Sequence, residues 1–163
     1  MTSPVDPVTR STVRTWFITG ATSGIGQALA TAALKRGHNV TLVARRTDQF
    51  SDLAVEHAER ALVINADVRS EESVRAAVQR TLDRFGRIDV VANNAGFGLF
   101  GAVEEATDAQ ARAIFDTNVF GVLNVLRATL PVLRAQRSGH VLQGSSYYGQ
   151  TAHPGVGMLA ATK

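Results

Sequence analysis

The sequence predicts an α/β fold with a doubly wound parallel sheet, on three observations. Short runs of apolar, β-branched residues recur along the chain without strict in–out alternation, the mark of strands covered on both faces. Stretches with apolar residues at helical spacing separate them. A glycine-rich turn joins the first strand to the first helix. Strands and helices that alternate in this way build right-handed βαβ units.

The elements follow in order. Residues 15–19 (TWFIT) form a β-rich run that stops at Gly20. Residues 24–37 carry apolar side chains at helical spacing and end on Gly37, a natural stop. Residues 39–44 (NVTLVA) read as the second strand, 48–59 as a short helix and 61–65 (ALVIN) as the third strand. Ser70 is placed to cap a helix over 70–86, with Glu71 and Glu72 in the first turn, where acids suit the helix dipole. Residues 88–93 (IDVVAN) are the fourth strand. A long helix runs from its N-cap Thr107 toward Gln136, with a bend expected at Pro131. Residues 140–145 (HVLQGS) are the fifth strand.

At 163 residues the chain is long enough for one domain with a real core and too short to expect two. That domain is set at 13–163, after a loose, flexible tail over 1–12 that lacks an apolar block of signal-peptide length. Apolar residues at 45% and charged residues at 19% place the chain among soluble globular proteins. No apolar run reaches the ~18–20 residues of a membrane span. The absence of cysteine excludes disulfides, thiolate metal sites and a Cys nucleophile, and fits a cytoplasmic location. The net charge of +3 comes from scattered Arg, with Lys only at positions 35 and 163, so no nucleic-acid face is expected. The four His lack a helical metal-ligand spacing, so no metal is expected either.

The turn "TGATSGIG" (19–26) lies where the first strand becomes the first helix. Gly20, Gly24 and Gly26 let the backbone turn sharply and let a phosphate approach it. The helix start then offers free N–H groups and a partial positive charge. This context predicts a dinucleotide site. The spacing is G-x-x-x-G-x-G rather than G-x-G-x-x-G.

Further motifs follow in order: "ADV" (66–68), "NNAG" (93–96), Asn118 within "FDTNVFG", "GSS" (144–146) and "ATK" ending at Lys163. Together with the glycine turn they resemble the short-chain dehydrogenase/reductase family over nearly all of residues 13–163. The resemblance implies a Rossmann-type sheet in the strand order 3-2-1-4-5 and hydride transfer between a nicotinamide and a carbonyl or alcohol carbon. It implies cofactor contacts at Gly20, Thr22, Ser23, Gly24, Ile25 and Gly26. It adds an adenine contact at Asp67 with Val68, and further contacts at Asn93, Asn94, Ala95, Gly96 and Lys163. Asn118, Ser146 and Lys163 match the family's catalytic positions. Ser would hold the substrate oxygen, Lys would bind the nicotinamide ribose, and Asn would support a water relay.

The second strand bears on the choice of cofactor. An NAD site of this fold usually carries an acid about 20 residues past the glycines. Here that place reads Ala44, Arg45, Arg46. No carboxylate repels a 2′-phosphate, and two guanidiniums can bind one, so NADP(H) is favoured over NAD(H).

One family position departs from the pattern. The proton-transferring Tyr stands thirteen residues after the Ser and four before the Lys, and both counts reach Leu159. Leucine has no ionisable proton, and losing positioned acid–base help costs about 10²–10⁴ in rate. Tyr147 and Tyr148 follow Ser146 directly and either replace the acid or line the substrate pocket. The family also continues past Lys163 with two more strands, so the C-terminal part of the fold is expected to be missing and the fifth strand to be an exposed edge. The expected function is an NADP-dependent oxidoreductase acting on a small carbonyl or alcohol, as a homo-oligomer where a partner covers that edge. The alternative is a nucleotide-binding module with impaired chemistry, or a fragment. A nucleotide-sugar epimerase of the extended relatives fits less well, since those space the glycines differently and also need the Tyr.

Overall fold

The computed structural model describes residues 13–163, and the tail expected over 1–12 lies outside the described residues. Five strands, β1 (Thr15–Thr19), β2 (Asn39–Ala44), β3 (Ala61–Asn65), β4 (Val90–Asn93) and β5 (His140–Gln143), form one parallel sheet. Their order is β3-β2-β1-β4-β5, as the family resemblance implies. The central β1 sets Phe17 beside Thr41 on one flank and Val91 on the other.

Successive strand side chains point to opposite faces, so each inner strand feeds two cores. Phe17, Val43 and Val91 pack with Val74 and Val78 of α3 (Glu71–Phe85) and Val125 of α5 (Val122–Gln136). Ile18, Val40 and Leu42 pack with Ala30 and Leu34 of α1 (Gly24–Lys35) and with Phe50, just ahead of α2 (Ser51–Glu56). This two-sided demand is why the strands read as unbroken apolar runs. Each such side chain contributes about 1.5–3 kcal/mol by leaving water.

Helix starts and stops follow local chemistry. The Ser70 hydroxyl accepts the Ser73 N–H at the start of α3, and Gly86 closes that helix at φ 75°. Thr107 and Gln110 cap each other's backbone at the start of α4 (Asp108–Phe115).

The structure departs from the sequence expectations at element ends. The helix expected over 48–59 is a 3₁₀ turn, Asp48–Phe50, followed by the six residues of α2. β4 starts at Val90 rather than residue 88, because the Asp89 carboxylate takes the Thr15 N–H and the Ile88 N–H goes to the Gln136 side chain. β5 ends at Gln143, and the Gly144 N–H adds a last bond to the Asn93 carbonyl at 3.0 Å. Among the described residues β5 is the least covered strand: His140, Leu142 and Gln143 are exposed at the sheet edge.

The long helix changes its ladder at a π-helical turn, Asp116–Gly121, while Pro131 sits inside α5. Here Gly121 passes so close to the β3–α3 connection that a Cβ would lie 2.8 Å from Val68 Cγ2. Beside it the buried Asn124 amide donates to the Val68 carbonyl at 2.9 Å. A short α6 (Gly157–Ala160) follows β5. No helix among the described residues is long and apolar enough to cross a membrane.

Removing a partner from a buried acceptor costs about 1–3 kcal/mol. The Asn124→Ala variant is therefore expected to lower the urea midpoint by that equivalent. An unchanged midpoint would mean the Val68 carbonyl finds another donor.

Candidate cofactor and catalytic site

The site lies at the carboxyl ends of the strands, where ligands bind in open parallel sheets. Its frame is a clasp between the loops after β1 and β4. The buried Thr19 hydroxyl accepts the N–H groups of Asn94 and Ala95 at 3.1 and 3.0 Å. The Asn94 amide donates in return to the carbonyls of Thr19 and Gly20, both at 3.1 Å. Two glycines make this approach possible. Gly20 adopts φ 64°, and a Cβ there would sit 2.8 Å from Ala95 Cα. A Cβ on Gly26 would run into the Gly20 carbonyl oxygen and sit 2.6 Å from the Asn94 amide nitrogen.

Above the clasp is a cavity of ≈ 420 Å³. Gly20, Thr22, Ser23 and Ile25 line one wall, and Asn94, Ala95 and Gly96 another. Arg45, Arg46, Asp67 and Val68 also line it. Ser23 precedes α1 in extended conformation without a side-chain cap, and the helix's first turn carries no acid. The first-turn N–H groups are thus left for an anion. Arg45 and Arg46 are exposed, and among the described residues neither side chain has an ion-pair partner. Asp67 is held below the usual carboxylate range, chiefly by hydrogen bonding to the Arg69 guanidinium.

Not every expected contact faces this cavity. Gly24 adopts φ 54° at the start of α1 but does not line it, and Gly26 lies beneath it. Asn93 is buried below, with its amide donating to the Val122 carbonyl at 3.2 Å. The Asn93 side chain thus ties β4 to α5 and does not line the cavity.

A second group of residues meets at Gly96. A Cβ there would lie 2.9 Å from Asn118 Oδ1 and 3.2 Å from Lys163 Nζ, so the amide and the ammonium flank the cavity wall together. Asn118 is buried and fully engaged: its Oδ1 accepts the Phe97 N–H, and its Nδ2 donates to the Phe97 carbonyl and the Thr162 hydroxyl. Partial burial pushes the Lys163 ammonium below the ordinary lysine range. The Ser146 hydroxyl accepts the Tyr148 N–H at 3.2 Å, and the Ser145 hydroxyl donates to the Lys163 carbonyl. Leu159 is 7% exposed, packed beside Gly98. Tyr147, Tyr148 and His153 pack their rings together at 5.5–5.7 Å between centroids, with Tyr147 largely exposed.

The short chain dehydrogenase family profile matches residues 14–163. This chain belongs to the short-chain dehydrogenase family. It is 40% identical over 149 residues to the oxidoreductase BOA17 of Botryotinia fuckeliana, covering 91% of this chain and 54% of that protein. A solved short-chain dehydrogenase from Streptomyces avermitilis matches with TM-score 0.90 and 40% identity, over 94% of this chain and 57% of the other. A family member from Burkholderia phymatum in complex with NAD matches at TM-score 0.87 and 25% identity, over 92% and 55%. An alcohol dehydrogenase from Thermococcus sibiricus complexed with 5-hydroxy-NADP matches at 0.85 and 31%, over 92% and 65%. The chain spans about half the length of the curated relatives it matches.

Two residues that organise this site escape the motif reading. Thr19 stands first in the glycine turn, where its signal is a hydroxyl at the last position of a buried strand. Thr162 precedes Lys163, accepts from Asn118 and donates to the Leu159 carbonyl at 2.9 Å, and only its neighbour in "ATK" hints at it.

Gly26→Ala is expected to force the clasp apart at about 1–3 kcal/mol, the usual penalty of overpacking. The urea midpoint and the affinity for a dinucleotide should fall together. Loss of neither would mean that the Gly20 carbonyl moves aside freely.

Proposed function

We propose that this short-chain dehydrogenase binds NADP(H) in preference to NAD(H) and serves hydride transfer between the nicotinamide and a small carbonyl or alcohol. The observation that carries this reading is the cavity over the glycine turn, with an uncapped helix start in one wall and, beside it, two guanidiniums without an ion-pair partner among the described residues. The residues fit such a cofactor. The first-turn N–H groups of α1 and the Gly20–Gly26 turn would hold the diphosphate. Arg45 and Arg46 would hold a 2′-phosphate through their planar forks of donors, and β2 ends in Ala44 with no acid to repel it. One solved relative carries NAD and another an NADP derivative, so the preference rests on these guanidiniums.

When bound, the cofactor supplies the carbon that gives or takes hydride. The chain's own residues orient and polarise. Ser146 Oγ accepts one backbone N–H, which leaves its own proton free to donate to a substrate oxygen. Lys163 brings a half-buried positive charge to Gly96, and Asn118 is fixed beside it by Phe97 and Thr162. Thermal unfolding with each nucleotide tests the cofactor half. A ligand binding only the folded state at about 100 times its Kd adds about 2.7 kcal/mol of stability. NADPH is expected to raise the midpoint clearly and NADH much less. Equal shifts would remove the 2′-phosphate preference, and no shift with either would remove the whole reading.

A second reading, a nucleotide-binding module without proton transfer, is favoured by one observation. The buried side chain four residues before Lys163 is the apolar Leu159. The Leu159→Tyr variant separates the two. Gain of NADPH-dependent reduction of a small aldehyde, by about 10²-fold or more over the unchanged chain, is expected if only the acid is absent. Retained NADPH binding with no gain favours the module.

A further inference from the structure

The cavity that holds Arg45 and Arg46 also holds a carboxylate, Asp67. An acid there works against a phosphate in two ways. It repels the anion, and it competes for the guanidiniums that would bind it. The structure contains a device that cancels both effects. Arg69, which does not line the cavity, covers the carboxylate from outside. Its Nε lies 3.1 and 3.0 Å from Asp67 Oδ1 and Oδ2, and its Nη2 lies 2.6 Å from Oδ2. Its backbone N–H adds a bond to Oδ1 at 3.0 Å. Both carboxylate oxygens are therefore engaged by the residue two places on in the chain.

Arg45 acts on the same carboxylate only as a more distant charge, the smallest of the influences on Asp67. Its side chain stays exposed at the cavity, while its backbone carbonyl is held by the Asn65 amide at 2.9 Å. Arg69 also lies in the field of the Asp116 carboxylate on the π-helical turn, but its close partner is Asp67. The geometry is an intramolecular neutralisation: one guanidinium is spent on the acid, so two others remain available.

We propose that Arg69 is a specificity-determining positioning residue, which by pairing with Asp67 keeps Arg45 and Arg46 free for a phosphate on the adenosine ribose. The proposal rests on the NADP(H) reading above. It predicts that discrimination depends on a residue outside the ligand's reach. Without Arg69, Asp67 is an uncompensated acid in the cavity, and the guanidinium of Arg45, whose charge already acts on it, turns to it.

The test measures binding to the full chain by calorimetry, with 2′,5′-ADP against 5′-AMP and NADPH against NADH as probes. Arg69→Ala is expected to weaken 2′,5′-ADP and NADPH roughly tenfold while 5′-AMP and NADH change less than about threefold. Asp67→Asn combined with Arg69→Ala should restore most of the 2′-phosphate preference, because the acid that Arg69 neutralises is gone. That rescue separates a charge effect from structural damage. A unchanged preference in Arg69→Ala, with a wild type that prefers NADPH, would overturn the proposal and leave the NADP(H) reading intact. Equal weakening of all four probes, unrelieved in the double variant, would also overturn it by assigning Arg69 a purely structural role. A wild type without preference would remove the NADP(H) reading and this inference with it.

Discussion

The carboxyl edge of this sheet is organised by one hydroxyl. Thr19 Oγ is fully buried, accepts two N–H groups from the loop after β4, and lies within 3.4 Å of the Ala92 carbonyl as a donor. Water cannot replace it there. Without it the Ala95 donor would be left unpaired and Asn94 would keep only its bond to the Ala92 carbonyl, and an unpaired backbone group away from water costs about as much as a hydrogen bond is worth. The same loops form two walls of the cavity, so the clasp sets the width of the site as well as the stability of its floor. Gly20 and Gly26 are consequences of that constraint, because each occupies a place where a Cβ would push the loops apart.

The side of the site at Gly96 hangs on a second, longer-range connection. Asn118 joins three segments: the loop at Phe97, the π-helical turn that carries it, and the stretch after α6 at Thr162. Lys163 follows Thr162 directly, so the hydrogen bond that satisfies Asn118 also places the ammonium over Gly96. A π-helical turn adds a residue to the helical ring and can turn a side chain away from the regular stripe. Here it presents Asn118 to the loop after β4, while Gly121 and Asn124 remain against Val68.

The strands and the two-faced core were legible because burial leaves a local record, whereas the strand order followed only from the family resemblance. Phe17 beside Ile18, and Leu42 beside Val43, announce strands that feed opposite cores. Caps at Ser70 and Thr107 were legible for the same reason, since each is settled within a few residues. The limits of β4 were not, because Asp89 and Ile88 take partners 74 and 48 residues away. The π-helical turn was hidden likewise: the partners of Asn118 lie 21 and 44 residues distant, and Pro131 is the louder but less consequential signal. Within the site, Arg45, Arg46 and Asp67 could be read as lining groups. The pairing that decides which of them remain free could not, because an Arg two residues from an Asp has many rotamers that point elsewhere.

At Leu159 the backbone and the side chain answer to different demands. The position is buried beside Gly98, and its backbone carbonyl accepts the Thr162 hydroxyl. That carbonyl belongs to any residue, so the link from α6 through Thr162 to Asn118 survives a change of side chain. Leucine fills an apolar setting without needing a partner, whereas a buried phenol needs one for its hydroxyl. Packing therefore exerts no pressure to retain the acid. Nothing in the clasp, the cavity or the Asp67–Arg69 pair depends on it either. Architecture here rests on the backbone carbonyl of Leu159, so under the second reading proposed above the absence of a transferable proton on its side chain would leave the cavity standing.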